Sequence, residues 1–221
     1  MKYTAKVNYQ KKDLVSNYDR VRFHSLHGRL VDLLEKKRML EGVVQLLQAG
    51  QKCVILDIPG GTGRLTDELL RNDYKVIEAD ISMLMLAKSR ETYGYEPDGT
   101  FLGYVCCDLE YLPFADKSID VTASLRVMGH LPLDTKEKTF CEFSRVSRLG
   151  MAIMMSMQNP FLKIKRFVFQ LMGVRPKPEM WFPVNHRDVL SLSKKARTKI
   201  INTHALIYGL SESRRYTFRI K

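Results

Sequence analysis

Residues 54–64, VILDIPGGTGR, are the feature that most constrains the fold of this 221-residue chain. A short unbroken apolar run, typical of a strand buried on both faces, leads directly into Gly60, Gly61 and Gly63, and a helical pattern follows. Glycines at such a turn let the backbone bend sharply and approach a ligand closely. Taken alone, the loop fits either a ligand-binding turn or a purely structural one.

Strand and helix patterns alternate along the chain on both sides of this loop. Residues 25–48 have a helical period of apolar residues, including Leu26, Leu30 and Leu33, which predicts one helix or two helices divided near Lys37. Later strand-like runs lie at residues 74–79, 101–107, 119–125, 151–156, 199–208 and 215–221, and helical stretches lie between most of them. Helices between consecutive strands are typical of crossover connections, so we expect an α/β fold with a mostly parallel sheet.

Carboxylates end three successive strands: Asp57, Asp80 and Asp108. In this topology a carboxylate after the second strand accepts hydrogen bonds from ribose hydroxyls, and one after the third can accept from an adenine amino group. The loop lacks the lysine of a P-loop, and three acids would repel a pyrophosphate. The acidic set therefore favours a nucleoside with a cationic centre, such as S-adenosylmethionine with its sulfonium.

Four segments resemble class I S-adenosylmethionine-dependent methyltransferases, and in particular the group that contains the ubiquinone/menaquinone-biosynthesis methyltransferases: LDIPGGTGR, VIEADISMLMLAKSR, CDLEYLPFADKSIDVTASLRVMGHL and EFSRVSR. The resemblance covers residues 54–156. It implies a Rossmann-like, doubly wound, seven-stranded, mostly parallel sheet with the last strand antiparallel and helices on both faces. It also implies a single domain, 1–221, made of a helical lid (1–50), a cofactor-binding core (51–158), an acceptor-recognition insertion (159–185) and a C-terminal helix and strands (186–221).

By position, the resemblance implies which residues hold S-adenosylmethionine and the product S-adenosylhomocysteine. The loop surrounds the methionine moiety, the acids contact the ribose and adenine, and the end of the fourth strand forms the floor of the methyl site. The full set is Asp57, Pro59, Gly60, Gly61, Gly63, Asp80, Ile81, Met85, Asp108, Leu109, Ser124 and Leu125. The chain departs from the family at Pro59, which replaces a glycine, and at Leu149, where a Gly-Gly turn is reduced to Leu149 and Gly150.

Three residues are candidates for the catalytic machinery. His130, after the fourth strand, is either a general base or a residue that caps or packs the following helix. Arg126 in the same loop either holds an acidic acceptor or has a surface or structural role. Tyr18, with Arg22 and Phe23, resembles the family's N-terminal lid, and the alternative is a helix packed on the sheet edge. Trp181 and Phe182 either line an apolar acceptor pocket or belong to the core.

Charge is the unusual feature of the composition. The net charge is +12, and residues 151–221 hold 14 Lys and Arg against 3 Asp and Glu, whereas residues 51–150 hold 12 against 16. The leading hypothesis is methyl transfer to a small-molecule or lipid-like acceptor, with RNA methylation and a non-catalytic cofactor-binding partner subunit as alternatives. The basic last third, including Lys163, Lys165 and Arg166, predicts an anionic acceptor, a nucleic acid or a membrane surface as partner, or is simply solvated. The sequence does not indicate an oligomeric state.

Four cysteines lie in apolar sequence surroundings and form no CxxC pair. We therefore predict no metal site and four buried thiols in a reducing compartment. The first residues contain no apolar stretch suited to a signal peptide, and the longest apolar runs fall far short of the roughly 20 residues that span a bilayer. These features predict a cytoplasmic protein.

Overall fold

The computed structural model describes residue 15 and residues 25–48, 51–158, 181–207 and 211–221. These residues form one sheet flanked by helices. The strands are β1 (Val54–Asp57), β2 (Lys75–Asp80), β3 (Phe101–Cys106), β4 (Ile119–Ser124), β5 (Ser147–Ser156), β6 (Thr198–Ala205) and β7 (Ser213–Ile220). The helices are α1 (Leu26–Val44), α2 (Arg64–Leu70), α3 (Met83–Tyr93), α4 (Leu133–Val146) and α5 (His186–Lys195), with a 3-10 turn at Met128–His130.

The sheet has seven strands in the order β3-β2-β1-β4-β5-β7-β6. The β1–β2, β1–β4, β2–β3 and β4–β5 pairs are parallel, and β7 is inserted antiparallel between β5 and β6. The predicted Rossmann-like, doubly wound sheet with an antiparallel last strand is therefore confirmed. Strand order reverses between β1 and β4, which is where such sheets open a crevice for ligands.

Two apolar clusters cover the two faces of the sheet. On one face, Met39 and Val43 of α1 and Leu65 and Leu69 of α2 pack against the central strands. On the other face, α4 and α5 pack against the sheet through a second set of buried side chains, which includes Phe140, Phe143, Val189 and Leu192. Burial on both faces explains why β1 and the second half of β5 are nearly continuous apolar runs.

Helix α1 is a single helix, the first of the two predicted alternatives, with no division near Lys37. It differs from the expectation in its buried face. Its sheet-facing side carries Glu35, Met39 and Val43, whereas three leucines of the predicted apolar pattern are exposed: Leu26 is 86% exposed and Leu30 and Leu33 are more than half exposed. The spacing of the apolar residues does not say which face of α1 meets the sheet. The face that meets it carries Glu35, whose carboxylate pairs with Arg126.

The turn expected at Leu149 and Gly150 is absent. Helix α4 ends at Val146 and β5 begins at the next residue, so both residues lie inside the strand. Strand β5 therefore starts four residues before the predicted position, and Gly150 pairs with Val121 of β4 and Arg219 of β7. The apolar run at 151–156 marks only the buried second half of the strand.

The cysteines correct another expectation. All four thiols are free and Cys53 is buried, but Cys106 and Cys141 are exposed and Cys107 is half-buried. The prediction of four buried thiols is wrong at Cys106 because it ends an edge strand, and at Cys141 because it lies on the outer side of α4. Within the described ranges, no three His, Cys, Asp or Glu side chains are grouped as metal ligands. No helix in the same ranges is both long and apolar enough to cross a membrane.

Candidate active site

An open cavity of about 900 Å³, part of it solvent space, lies at the carboxyl ends of the central parallel strands. Its wall comes from four loops, each of which follows one strand. The predicted cofactor residues that line it are Pro59, Gly60, Gly61, Asp80, Ile81, Met85, Asp108, Leu109 and Leu125, and two predicted catalytic residues, Arg126 and His130, line it as well. Residues 58, 62, 64, 65, 107 and 127 complete the wall.

The glycine loop turns in the way its sequence requires. Gly61 and Gly63 have φ angles of +60° and +83°, and Gly63 is the N-cap of α2. A Cβ on Gly63 would lie 2.1 Å from the Ser89 Oγ, so any other residue at this position would meet both backbone strain and an overlap. Pro59, the departure from the family pattern, follows a cis peptide bond from Ile58.

Asp80 connects the glycine loop to the end of β2. Its Oδ2 accepts from the Gly61 N–H at 3.0 Å and its Oδ1 from the Ser82 N–H at 2.8 Å. Burial raises the pKa of this carboxyl, and these backbone donors offset part of that rise. Further along the wall, Asp108 Oδ1 accepts from the Glu110 N–H at 3.1 Å. The cavity therefore carries two acids on the side formed by β2 and β3.

Asp57, Gly63 and Ser124, also predicted as cofactor residues, lie behind the cavity wall. Asp57 is 1% exposed, and its Oδ2 accepts from the Thr66 hydroxyl at 2.9 Å. Its Oδ1 and the Ser124 Oγ are buried with no hydrogen-bond partner in the described residues. Burial raises the pKa of Asp57 to about 7. Unpaired buried polar atoms at the ends of β1 and β4 are what a site for a polar ligand leaves open.

Glu78 is a buried acid that the sequence analysis missed. It pairs in register with Asp57 across β1 and β2, has no exposed surface, and accepts from the Ser89 hydroxyl at 2.9 Å. Burial, and then the Asp57 charge, raise its pKa to about 8. A glutamate inside the otherwise apolar run of β2 was the available signal.

The cavity-lining arginines belong to ion pairs with α1. Arg126 has a φ of +64°, and its Nε donates to Glu35 Oε2 at 2.6 Å. Arg64 pairs with Asp32 one turn earlier on α1. Burial raises the pKa of Glu35, and the Arg126 charge opposes that rise. The alternatives for Arg126 were to hold an acidic acceptor or to have a surface or structural role. The structure shows that Arg126 lines the cavity and that it is also paired with the buried Glu35 carboxylate.

His130 ends the 3-10 turn after β4 and lines the cavity. Its ring lies edge-to-face on the Trp181 indole, with 5.0 Å between the ring centroids and 80° between the ring planes. Tyr18, Arg22 and Phe23 lie outside the described residues, as do Lys163, Lys165, Arg166 and the predicted insertion up to residue 180. The described end of that insertion thus contacts the predicted catalytic loop.

The residues present suit S-adenosylmethionine. The glycine loop leaves room for close backbone approach at Gly61, and Asp80 and Asp108 give the cavity wall two carboxylates that can accept hydrogen bonds from hydroxyl and amino donors. The loop presents no lysine for a phosphate. The fold is a Rossmann-like, doubly wound sheet, and its cavity has the lining that a nucleoside with a cationic centre requires.

The resemblance stated from the sequence is confirmed by comparison with known proteins. Residues 56–154 match the family described as Methyltransferase domain. The ubiquinone/menaquinone biosynthesis C-methyltransferase UbiE of Xylella fastidiosa (strain 9a5c) is 35% identical over 101 residues, which are 43% of this chain and 38% of that protein. The malonyl-[acyl-carrier protein] O-methyltransferase of Marinomonas sp. (strain MWYL1) is 33% identical over 146 residues, 63% of this chain and 49% of that protein. The chain thus spans half or less of the length of these two relatives.

Solved structures confirm the fold over nearly the whole chain. The magnesium protoporphyrin IX methyltransferase (ChlM) from Synechocystis PCC 6803, crystallised with bound SAH, superposes with a TM-score of 0.78 and covers 97% of each chain at 14% identity. A methyltransferase from Methanosarcina mazei superposes with a TM-score of 0.65 over 80% of this chain at 18% identity.

Proposed function

We propose that this protein is a methyltransferase that transfers the methyl group of S-adenosylmethionine to a small-molecule acceptor. The observation that carries the proposal is the cavity itself, in which the glycine loop and two strand-end acids stand opposite His130 and Arg126. The family match over residues 56–154, and relatives named as methyltransferases of quinone-pathway and malonyl acceptors, support it. The sulfonium supplies an activated methyl group: the sulfur–methyl bond breaks as the acceptor–methyl bond forms, and S-adenosylhomocysteine is released.

The residues of the chain bind and orient the methyl donor and the acceptor, and they exclude water from the site. Asp80 would hold the ribose hydroxyls, and Ile81, Asp108 and Leu109 would hold the adenine. Leu125 would border the methyl group and help to keep water from it. His130 accepts the proton when the acceptor is a hydroxyl or a carbon acid.

We propose an anionic acceptor among small molecules. The cavity side after β4 carries Arg126 and His130, and Arg64 lies in the same wall, whereas the acids lie on the β2 and β3 side. An acidic group on the acceptor would compete with Glu35 for Arg126. The free thiols at all four cysteines favour a cytoplasmic location, where thiols stay reduced.

Methyl-labelled S-adenosylmethionine tests the proposal. The label should pass to a small carboxylic acid of a mixed acceptor panel and not to the matched primary amides. Total tRNA serves as the nucleic-acid arm, and labelled tRNA would replace the small-molecule assignment with RNA methylation. Retention on heparin at about 0.2 M salt separates phosphate-driven binding from a merely solvated basic surface. If the protein does not bind S-adenosylmethionine, the remaining hypothesis is a non-catalytic partner subunit.

A further inference from the structure

The four residues Trp181–Val184, here called the 181–184 segment, are bonded to the loop that carries His130. The Phe182 N–H donates to the Gly129 carbonyl at 2.7 Å. The Val184 N–H donates to the Ser156 carbonyl at 2.9 Å, which fixes the other end of the segment at the end of β5. The segment is therefore attached at one end to the 3-10 turn after β4 and at the other to the end of β5.

The Trp181 indole is enclosed from several sides. A Cβ on Gly129 would lie 2.3 Å from the indole Cη2, so the ring occupies the space that a side chain at 129 would need. On another side, the indole Nε1–H donates to Glu212 Oε2 at 3.0 Å. His130 completes the enclosure with the edge-to-face contact of 5.0 Å. The indole is not among the residues that line the cavity, so it supports His130 from behind.

Lys136 of α4 ties the loop and the segment together. Its side chain is 1% exposed, and its Nζ donates to the Leu131 carbonyl and, at 2.8 Å, to the Phe182 carbonyl. The ammonium also lies 6.0 Å from the centre of the Phe182 ring. Burial lowers the pKa of Lys136 to about 8. A buried lysine that bonds carbonyls flanking both His130 and Trp181 fixes the distance between them.

We propose that Trp181 is a positioning residue for His130, and that Lys136 holds the two rings in register. This rests on the proposed function in so far as His130 acts on the acceptor. The indole restricts the imidazole to one orientation at the cavity wall, so that its outward nitrogen points to one place. The charged side chains around the pair are Arg126, Lys136 and Glu212, and those elsewhere on the cavity wall are Arg64, Asp80 and Asp108.

The fluorescence of Trp181 tests the contact without any acceptor, because Trp181 is the only tryptophan in the sequence. An imidazolium in ring contact quenches indole emission, so emission should fall as acidification protonates His130. His130→Gln should remove that pH dependence. Lys136→Met should weaken it and replace one dominant lifetime by several, whereas Lys138→Met, an exposed lysine on the same helix, should match the wild type.

Imidazole NMR tests positioning separately from packing. Trp181→Phe keeps an aromatic ring and should keep the wild-type tautomer ratio of the His130 imidazole, whereas Trp181→Leu should change that ratio. The proposal is overturned if His130→Gln retains the pH-dependent quenching, or if Trp181→Leu leaves the His130 tautomer ratio unchanged in a folded protein. Calorimetry with S-adenosylhomocysteine tests the proposed function independently of the ring contact. Failure to bind S-adenosylhomocysteine would contradict the proposed function, whereas the fluorescence of Trp181 tests the ring contact.

Discussion

Glu35 Oε2 lies 2.6 Å from the Nε of Arg126 and joins the middle of α1 to the loop that closes the cavity after β4. The glutamate is 1% exposed and the arginine is about one quarter exposed, so the pair is largely withdrawn from water. Burial on its own favours the neutral carboxyl, and the arginine is the partner that compensates the charge. The orientation of α1 and the position of Arg126 therefore depend on each other.

Removing the Glu35 charge should destabilise the fold. Glu35→Gln keeps the shape but leaves Arg126 with a weaker acceptor, and we expect the free energy of unfolding in urea to fall by about 1–3 kcal/mol. Glu41→Gln is the matched control on the same helix, because Glu41 pairs with Arg38 at a more exposed position. Its cost should stay below about 1 kcal/mol. Equal costs for the two variants would contradict the structural role of the Glu35–Arg126 pair.

The buried carboxyls Asp57 and Glu78 should make the protein without ligand less stable as pH rises. Their pKa values are raised from 3.8 to about 7 and from 4.5 to about 8. A group whose pKa is raised on folding contributes stability below its unfolded pKa and loses it as pH rises through the folded pKa. The free energy of unfolding should thus fall by at least about 1 kcal/mol between pH 5 and 8.

Glu78→Gln tests the origin of that pH dependence, because an amide pays no ionisation cost in the same place. The variant should flatten the decline between pH 5 and 8 and gain stability at pH 8 relative to wild type. Glu91→Gln is the control, since Glu91 is an exposed partner of Lys88 on α3. A wild-type stability that rises over this range would show that the two carboxyls are ionised at little cost.

Gly63→Ala and Gly94→Ala separate steric overlap from backbone strain. Both glycines have positive φ, +83° and +66°, but the added Cβ meets the Ser89 Oγ at 2.1 Å at position 63 and nothing within 4 Å at position 94. Gly94→Ala should cost about 1–2 kcal/mol in urea unfolding. Gly63→Ala should cost clearly more and weaken binding of S-adenosylhomocysteine, because the N-cap of α2 must shift. Similar costs at both positions would mean that the loop adjusts freely around Ser89.

The sequence predicted the sheet and the cavity because both depend on local patterns. The glycine loop, the acids at strand ends and the apolar β1 run are short-range signals, and they predict an α/β fold with a mostly parallel sheet and a ligand site at its strand ends. The seven strands with an antiparallel last strand, and the full set of cofactor residues, came from the family resemblance. The same reasoning missed Glu35, because its partner Arg126 is 91 positions away. It also overlooked Glu78, whose signal was a glutamate inside the otherwise apolar run of β2. The exposed Leu26, Leu30 and Leu33 show the same limit: periodicity defines a face and does not say which face meets the sheet.

Trp181 illustrates a second limit. Its contact with His130 spans 51 positions and requires the bare backbone at Gly129, and neither the composition nor the spacing of the segment indicates that geometry. The sequence left two alternatives for Trp181, core packing or the wall of an acceptor pocket. The structure shows a third arrangement, in which the indole packs behind His130, a residue that lines the cavity.

Calorimetric titration of the protein with S-adenosylhomocysteine tests the central claim most directly. We expect one binding site in the wild type, and a Kd raised about 10- to 100-fold by Asp80→Asn, which removes the charged acceptor at the end of β2 and leaves an amide facing the Gly61 or Ser82 N–H. Glu91→Gln should bind like the wild type. A folded wild-type protein that shows no heat of binding, or an Asp80→Asn variant with unchanged Kd, would contradict the assignment of this cavity as a methyl-donor site.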